Sequence, residues 1–282
     1  KHFENIFASF TIEQIGKEFD LIKLDKGKLV LNIELKSEDV GVDVIQNQLE
    51  KNRYYLKHLA PDVRLYTFVE STKELYKYTS KGVKIVELED LKDTMELLQK
   101  SLGENIESLF QANNYLISPL NTPSKFMTGD YFLTNQQHDI KKKIVDLILL
   151  DDKEHILGIT GKAGTGKTLL LYDIIKTVAE QGLKCCLIHS GILCNGHKTL
   201  NTQWENVNIF SAKELNGDGA ERLKKYQYIF VDESQRIYIS AFKKILEEVI
   251  SESKTVIFAY DYVQSLSKAE VNRNIPAKLK EV

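Results

Sequence analysis

The eight residues GKAGTGKT constrain the fold of this chain more than any other stretch. They fit the pattern G-x-x-x-x-G-K-[ST], with the apolar run ILGIT before them and LLLYDII after them. Gly161, Gly164 and Gly166 would let a loop between a strand and a helix wrap round phosphate oxygens, with backbone N–H groups pointing at the anion. Lys167 would then reach the β- and γ-phosphates of a nucleotide, and the Thr168 hydroxyl would bind Mg²⁺.

The apolar runs around this motif predict a parallel sheet with crossover helices. Strands are predicted at 155–160, 184–189, 226–231 and 255–260, and helices at 168–181 and 240–252. Strands that alternate with helices in this way are typical of open α/β sheets, which bind their ligands at the carboxyl ends of the strands.

The stretch YQYIFVDESQR brings two acidic residues to such a strand end. Asp232 and Glu233 directly follow its apolar residues. Asp232 is therefore a candidate ligand of Mg²⁺, and Glu233 is a candidate base that orients and deprotonates an attacking water. A third strand, TVIFAYD, delivers Asp261 to the same edge of the predicted sheet.

The four stretches LTNQQ, GKAGTGKT, VDESQ and YDYVQ together resemble the ordered nucleotide-binding motifs of superfamily-1 helicases. The resemblance covers residues 131–282 and implies a RecA-like P-loop domain that binds ATP and Mg²⁺. It also implies that Gln137 contacts adenine. Gln235 and Gln264 would sense the γ-phosphate and relay its state to a nucleic-acid groove, with Asp261 in the same nucleotide site.

Helicases of this superfamily have a second RecA-like lobe, whose arginines complete the ATP site. This sequence ends at Val282, shortly after the third motif. A missing arginine changes the rate by about 10³–10⁵ in related phosphoryl-transfer enzymes. We therefore expect this chain to bind ATP, to hydrolyse it poorly and to unwind nothing alone, with a second helicase lobe or a partner protein completing the site.

The stretch LNIELKSE in the amino-terminal half is a second candidate for chemistry. Metal-dependent hydrolysis of a phosphodiester needs carboxylates on one strand face and a Lys nearby. Asp20 lies on a strand that we expect to turn at residues 25–27. That loop would put Asp20 opposite Asn32, with Glu34 as its diagonal neighbour and Lys36 on the same face. A two-residue loop would instead separate the two carboxylates.

A helix at residues 9–18, an Asp strand, a Glu-x-Lys strand, a helix and a further strand are expected in this half. That order resembles the core of PD-(D/E)xK nucleases, especially the restriction-endonuclease-like domains fused to helicases. The resemblance implies that Mg²⁺, or Mn²⁺ in its place, binds to the two carboxylates. It also implies a catalytic Lys36 and a contribution from Gln48 on the second helix. Glu18 is either a further ligand or a solvated helix end.

Composition limits the classes to which this protein can belong. With 43% hydrophobic and 28% charged residues, the 282 residues are typical of one or two globular domains. No run of about 18 apolar residues exists, and the three cysteines lack metal-ligand spacing, so we expect a cytoplasmic protein without a membrane partner. The histidines also lack such spacing and are expected to be structural. A net charge of −2 gives no global sign of nucleic-acid binding.

Residues 116–130 hold two of the four prolines and show little periodicity, which is typical of a linker. It would join a nuclease domain at 1–115 to the P-loop lobe at 131–282. The predicted fold class is thus α/β, with a restriction-endonuclease-like α/β domain followed by a RecA-like parallel-sheet domain.

The favoured function is an ATP-regulated, Mg²⁺-dependent nuclease that acts on DNA, and an oligomer is compatible with it. It would be of the nuclease-helicase type that resembles bacterial defence factors against phage. Two alternatives remain. The same architecture would cleave RNA, since similar ATPase halves occur in Schlafen-type proteins, or the chain would be a non-catalytic, ATP-responsive module that binds nucleic acid or recruits partners. In the last case Asp20, Glu34 and Lys36 would not converge.

Overall fold

Two sheets organise this chain, one in each of its two units, Lys1–Tyr115 and Leu116–Val282. The computed structural model describes residues 4–98, 106–110, 117–150, 153–262 and 274–281. Gln264, the second predicted γ-phosphate sensor, lies outside the described residues. Within those ranges no helix is long and apolar enough to cross a membrane.

The first unit holds a mixed sheet in the order β1-β2-β3-β4-β5-β6. Its strands are β1 (Phe7–Ile12), β2 (Lys17–Asp25), β3 (Leu29–Lys36), β4 (Asp62–Val69), β5 (Glu74–Thr79) and β6 (Gly82–Val86). β3 and β4 pair in parallel, whereas the other neighbours are antiparallel. A parallel pair needs a crossover, which here is helix α1 (Val42–Leu56). Helices α2 (Leu88–Leu97) and α3 (Ile106–Leu109) follow β6.

Alternation along β3 gives this sheet two different faces. Leu31 and Ile33 pack in an apolar core with Met95 of α2. Asn32 and Glu34 point the other way, towards α1, and are nonetheless buried. Because buried polar groups need hydrogen-bond partners, α1 has to present polar side chains to this face.

Two predictions for the first unit are wrong. The helix expected at residues 9–18 is strand β1 and a 3₁₀ turn, Glu13–Ile15. The apolar spacing of this segment is compatible with a helix or a strand, and antiparallel pairing with β2 stabilises the strand. The β2–β3 loop is also one residue later than expected, since Asp25 pairs with Leu29. That shift changes which residues face each other along the hairpin.

The second unit holds a parallel sheet in the order β7-β11-β10-β8-β9. Its strands are β7 (His155–Thr160), β8 (Cys185–His189), β9 (Val207–Ser211), β10 (Tyr228–Asp232) and β11 (Thr255–Tyr260). Its helices are α4 (Pro123–Thr128), α5 (Asn135–Leu150), α6 (Lys167–Glu180), α7 (Asn195–Gln203), α8 (Ile239–Ser251) and α9 (Ile275–Glu281). Segments of 3₁₀ helix lie at Ala212–Leu215, Gly217–Lys225 and Ser234–Arg236.

Helices cover both faces of this second sheet. Along β8, Cys185 and Leu187 pack in the core that contains α6, while Cys186 and Ile188 pack in the core that contains α8. Strands buried on both faces are continuous apolar runs, which is why the sequence predicted four of the five strands. The parallel sheet is therefore confirmed, and the carboxyl ends of its strands lie at one edge.

Candidate functional site

The loop between β7 and α6 forms a cradle at the carboxyl edge of the second sheet. Gly164 and Gly166 both have a φ of +78°, a left-handed conformation that disfavours a side chain. Helix α6 begins at Lys167, directly after the second of these glycines. Its unpaired N–H groups and positive dipole end therefore face the loop, which is an arrangement that binds phosphate.

Lys167 lies across this loop. Its Nζ donates a hydrogen bond to the carbonyl oxygen of Lys162 at 2.8 Å and lies 3.7 Å from Asp261 Oδ2. The ammonium group is thus already held where phosphate oxygens would enter. A phosphate would replace a neutral carbonyl with a charged acceptor, which makes the stronger hydrogen bond.

Thr168 and Asp232 meet beneath the loop. The Thr168 hydroxyl donates to Asp232 Oδ1 at 3.4 Å, and the backbone N–H of Glu233 donates to the same oxygen at 3.0 Å. The Asp232 carboxylate is only 2% exposed. A hydroxyl and a carboxylate are hard oxygen ligands, and Mg²⁺ is usually held by one or two carboxylates together with substrate phosphates, so this pair fits that ion.

Glu233 has a φ of +53°, which is rare for a residue other than glycine and costs of order 1–3 kcal/mol. Its carboxylate accepts a hydrogen bond from Gln235 Nε2 at 2.7 Å. Gln235 Oε1 in turn accepts from the backbone N–H of Asp261 at 3.2 Å. Gln235 therefore connects the candidate base to the end of β11.

Gln137 packs against the phosphate-binding loop. Its Nε2 donates to the carbonyl of Thr165 at 2.9 Å, and its Oε1 accepts from the N–H of Thr134 at 2.9 Å. A Cβ atom at position 166 would overlap with this amide, so glycine at this position leaves space for the Gln137 side chain. Among the described residues these two bonds leave one N–H and one oxygen lone pair of the amide for a base.

A cavity of about 290 Å³ opens over this loop. Its lining includes residues of the loop, Glu233 and the segment 117–119, which contributes Ile117, Ser118 and Pro119. We did not predict this segment as part of the site, because it matches no motif. An apolar wall beside a phosphate cradle suits a flat heterocycle.

Two further residues beside Asp232 were missed. His189 ends β8 and is the register partner of Asp232 at the end of β10, with Nδ1 3.7 Å from Asp232 Oδ2. Tyr172 lies one turn after Thr168 on α6, and burial raises the pKa of its hydroxyl well above the usual value. The signal for His189 was its position at the end of the apolar run CCLIH.

In the first unit, the carboxylate of Glu34 is held by three amide side chains. Oε1 accepts from Asn32 Nδ2 at 3.0 Å and from Asn52 Nδ2 at 2.8 Å, and Oε2 accepts from Gln48 Nε2. Glu34 is 2% exposed. Of these donors only Gln48 was predicted, because asparagines carry no motif of their own.

The β2–β3 register carries Asp20 to the position across from Glu34, rather than opposite Asn32 as predicted. The later loop position is the cause. Asp20 Oδ2 accepts a hydrogen bond from the backbone N–H of Leu35 at 2.8 Å. Lys36 lies two residues beyond Glu34 and so shares its face of the sheet.

Lys17 adds an unpredicted cation to this part of the first unit. Burial lowers the pKa of its ammonium group, while the carboxylates of Glu34 and Asp20 oppose that effect. Lys17 thus lies within electrostatic reach of both carboxylates. The side chain of Glu18, the further candidate ligand, is exposed on β2.

Metal binding would differ between the two units. In the described part of the chain, no group of three or more His, Cys, Asp or Glu side chains could hold a metal ion. An ion at Glu34 would have to displace amide donors from an oxygen. An ion beside Asp232 would replace a long hydrogen bond from Thr168, and phosphate oxygens would supply further ligands.

A family profile described as PIF1-like helicase matches residues 132–274. This match covers the phosphate-binding loop, the strand that ends at Asp232 and the strand that directly precedes Asp261. No curated protein sequence matches the chain.

Solved structures resemble part of the chain at low identity. Domain III of the replication initiation protein DnaA from Thermotoga maritima is 17% identical with a TM-score of 0.36, and 56% of this chain covers 65% of that one. AMPPCP-bound DnaA from Aquifex aeolicus is 15% identical with a TM-score of 0.36, and 54% of this chain covers 48% of that one. This chain therefore spans less than two thirds of either structure, and similarity at this level says nothing about activity.

Proposed function

The chain belongs to the PIF1-like helicase family, and on this premise we propose that its second unit binds ATP with Mg²⁺ and acts on nucleic acid. The observation that carries the proposal is the meeting of Thr168 and Asp232 at 3.4 Å beneath a glycine-rich loop. A helix N-terminus, a lysine and a buried carboxylate converge there, as phosphoryl transfer requires.

Each residue has a distinct proposed role. Lys167 exchanges the Lys162 carbonyl for β- and γ-phosphate oxygens, and Thr168 and Asp232 hold Mg²⁺. When bound, Mg²⁺ would neutralise charge on these phosphates. Glu233 orients the attacking water and accepts its proton.

Gln137 is proposed to recognise the base, and Gln235 is proposed to sense the γ-phosphate. Gln137 uses its remaining N–H and lone pair on adenine. Gln235 touches both Glu233 and the backbone of Asp261. Loss of the γ-phosphate would change the position of Glu233, and Gln235 would pass that change to β11.

A second helicase lobe or a partner protein is proposed to complete the site. In the described part of the chain, the cavity lining contains Lys167 and no arginine. An arginine supplied from outside would stabilise charge that develops on the transferred phosphoryl group.

Binding of a fluorescent ATP analogue to the full chain, followed by anisotropy with Mg²⁺ and with EDTA, tests this function. ATP turnover is then measured with and without single-stranded DNA or RNA. We expect weak binding in EDTA that Mg²⁺ strengthens, and slow turnover that nucleic acid stimulates, both lost in Lys167→Ala. A chain that binds no nucleotide under either condition would refute the proposal.

As a second function, we propose that the first unit cleaves a phosphodiester, with DNA as the favoured substrate. The supporting observation is that the hairpin register carries Asp20 across from the buried Glu34, with Lys36 on the same face. Metal binding would require Gln48 and the asparagines to release the carboxylate. A nuclease joined to an ATP-dependent motor would suit defence against foreign DNA such as phage genomes.

A cleavage assay on linear and circular DNA, and on RNA, separates the alternatives. It compares the full chain with Glu34→Ala in Mg²⁺ or Mn²⁺, each with and without ATP. Cleavage that is lost in the variant, while thermal unfolding shows its first unit still folded at the assay temperature, supports the nuclease, and the preferred polymer identifies its substrate. Nucleotide binding without any cleavage favours the non-catalytic, ATP-responsive module.

A further inference from the structure

The second unit contains several buried polar side-chain atoms that no described residue pairs. Tyr172 Oη, His189 Nδ1, Ser190 Oγ and His197 Nε2 are buried and have no hydrogen-bond partner among the described residues. Each such atom costs about 1–3 kcal/mol when it stays unpaired. Of these atoms, His189 Nδ1 faces the Asp232 carboxylate, which makes it a candidate for a role in the site.

The two oxygens of Asp232 have different surroundings. Oδ1 accepts from the Thr168 hydroxyl and from the backbone N–H of Glu233. Oδ2 faces His189 Nδ1 at 3.7 Å, just beyond hydrogen-bond length. The two residues are register partners at the ends of neighbouring parallel strands, so their backbones fix this approach and a small side-chain rotation closes the gap.

The imidazole ring of His189 is held from two sides. A Cβ atom at Gly191 would lie 2.8 Å from His189 Nε2, so the missing side chain leaves space for the ring. The ring of His197 packs against it with centroids 4.4 Å apart. His197 is itself anchored, because its Nδ1 accepts from the backbone N–H of Cys194 at 3.1 Å.

His197 supports this arrangement without adding charge. Because its Nδ1 accepts a backbone N–H, its proton resides on Nε2. Burial lowers the pKa of His197 to about 4, so the ring is neutral at neutral pH. Its role is therefore to pack the neighbouring ring and not to compete with Mg²⁺ for Asp232.

We propose that His189 is a positioning residue, whose Nδ1–H donates to Asp232 Oδ2 and holds the carboxylate so that Oδ1 serves Mg²⁺ beside Thr168. This inference rests on the proposed ATP-binding function. Hydrogen-bond partners of metal-ligating groups typically change metal affinity or activity by about 10–100-fold when they are removed. His189 would thus set the affinity for Mg²⁺ and leave the contacts of the nucleotide with the loop unchanged.

Three substitutions of His189 test which of its two ring nitrogens positions Asp232. The amide nitrogen of His189→Asn stands as many bonds from Cα as Nδ1, whereas that of His189→Gln matches Nε2. His189→Ala removes both. His155→Ala changes a histidine at the opposite end of the same sheet and serves as the matched control. All variants of the full chain are first compared by thermal unfolding, which identifies any that fail to fold.

The readout is the anisotropy of a fluorescent ATP analogue in EDTA and during titration with Mg²⁺. We expect the half-saturating Mg²⁺ concentration to rise about 10–100-fold in His189→Ala and His189→Gln. His189→Asn should stay within about threefold of the parent chain, and binding in EDTA should be unchanged throughout.

Equal Mg²⁺ dependence in all variants would overturn the role of His189 while leaving the ATP site intact. So would equal losses in His189→Asn and His189→Ala, or a loss that also occurs in EDTA. If the parent chain binds no nucleotide with or without Mg²⁺, the proposed function fails and the inference fails with it.

Discussion

Asp232 and Glu34 are carboxylates on central strands, each 2% exposed, yet their surroundings are opposite. Both oxygens of Glu34 are occupied by amide donors from Asn32, Gln48 and Asn52. Asp232 has a long hydrogen bond from Thr168, one backbone donor and an oxygen that no described residue bonds directly.

The difference shows that burial alone does not identify a ligand site. A buried carboxylate with donors on both oxygens stabilises the fold, since those donors would otherwise be unpaired. A buried carboxylate with an oxygen that accepts no hydrogen bond stabilises the fold less, but that oxygen is available to a ligand or a further donor. The following predictions test whether this contrast holds.

The largest effect is expected at the lysine of the second unit. Lys167→Ala removes the cation that faces the loop, so ATP turnover should fall about 10²–10³-fold, the usual result of removing one electrostatic contact to a transition state. Lys162→Ala is the matched control, because Lys162 accepts the hydrogen bond of Lys167 through its backbone carbonyl, which the substitution keeps. Equal turnover in both variants would refute the assigned role.

Removal of the Glu34 carboxylate should lower the stability of the first unit. Glu34→Ala leaves buried donors without an acceptor, and we expect the first unit to lose about 3 kcal/mol of unfolding free energy. Calorimetry would measure the loss. The second unit should unfold as before. Its unfolding is monitored by the fluorescence of Trp204, the single tryptophan, which lies in its core. An unchanged unfolding free energy of the first unit in Glu34→Ala would contradict the difference between Glu34 and Asp232.

The second unit should weaken in mild acid. His197 has a pKa of about 4 when folded and about 6.5 when unfolded, so the unfolded chain binds the extra proton between these values. Its contribution is fully present above pH 6.5 and decreases as the pH falls towards 4. We expect a loss of about 2 kcal/mol between pH 7.5 and pH 5.

Urea unfolding monitored through Trp204 at the two pH values measures this loss. His197→Asn should remove most of the pH dependence, because an amide does not titrate in this range. A variant with the same pH dependence as the parent chain would show that another group causes it.

The smallest effect is expected for the stability of Asp232→Asn. The amide keeps an acceptor for Glu233 N–H, and His189 Nδ1 accepts from the new N–H₂ group once the imidazole proton lies on Nε2, so the second unit should change by less than about 1 kcal/mol. Mg²⁺-dependent nucleotide binding should nevertheless be lost. Glu34→Gln in the first unit is the matching variant, and it should cost more stability because its new N–H₂ group faces an amide donor.

Local patterns predicted much of the second unit. The phosphate-binding loop needs its glycines, lysine and threonine within eight residues, and strands buried on both faces form continuous apolar runs. These features depend on neighbours along the chain. Strand β9, the segment 117–119 and His189 were missed, because their importance comes from residues distant in sequence.

The sequence by itself therefore determined the parallel sheet, its loop and the acidic strand ends of the second unit. Only the tertiary structure decided that β1 is a strand, that Asp20 lies across from Glu34, and that Glu34 is enclosed by amides. The physical reason is that a one-residue change in a hairpin loop moves every cross-strand pair. Likewise, a hydrogen bond such as that from Asn52 to Glu34 forms only after α1 has packed on the sheet.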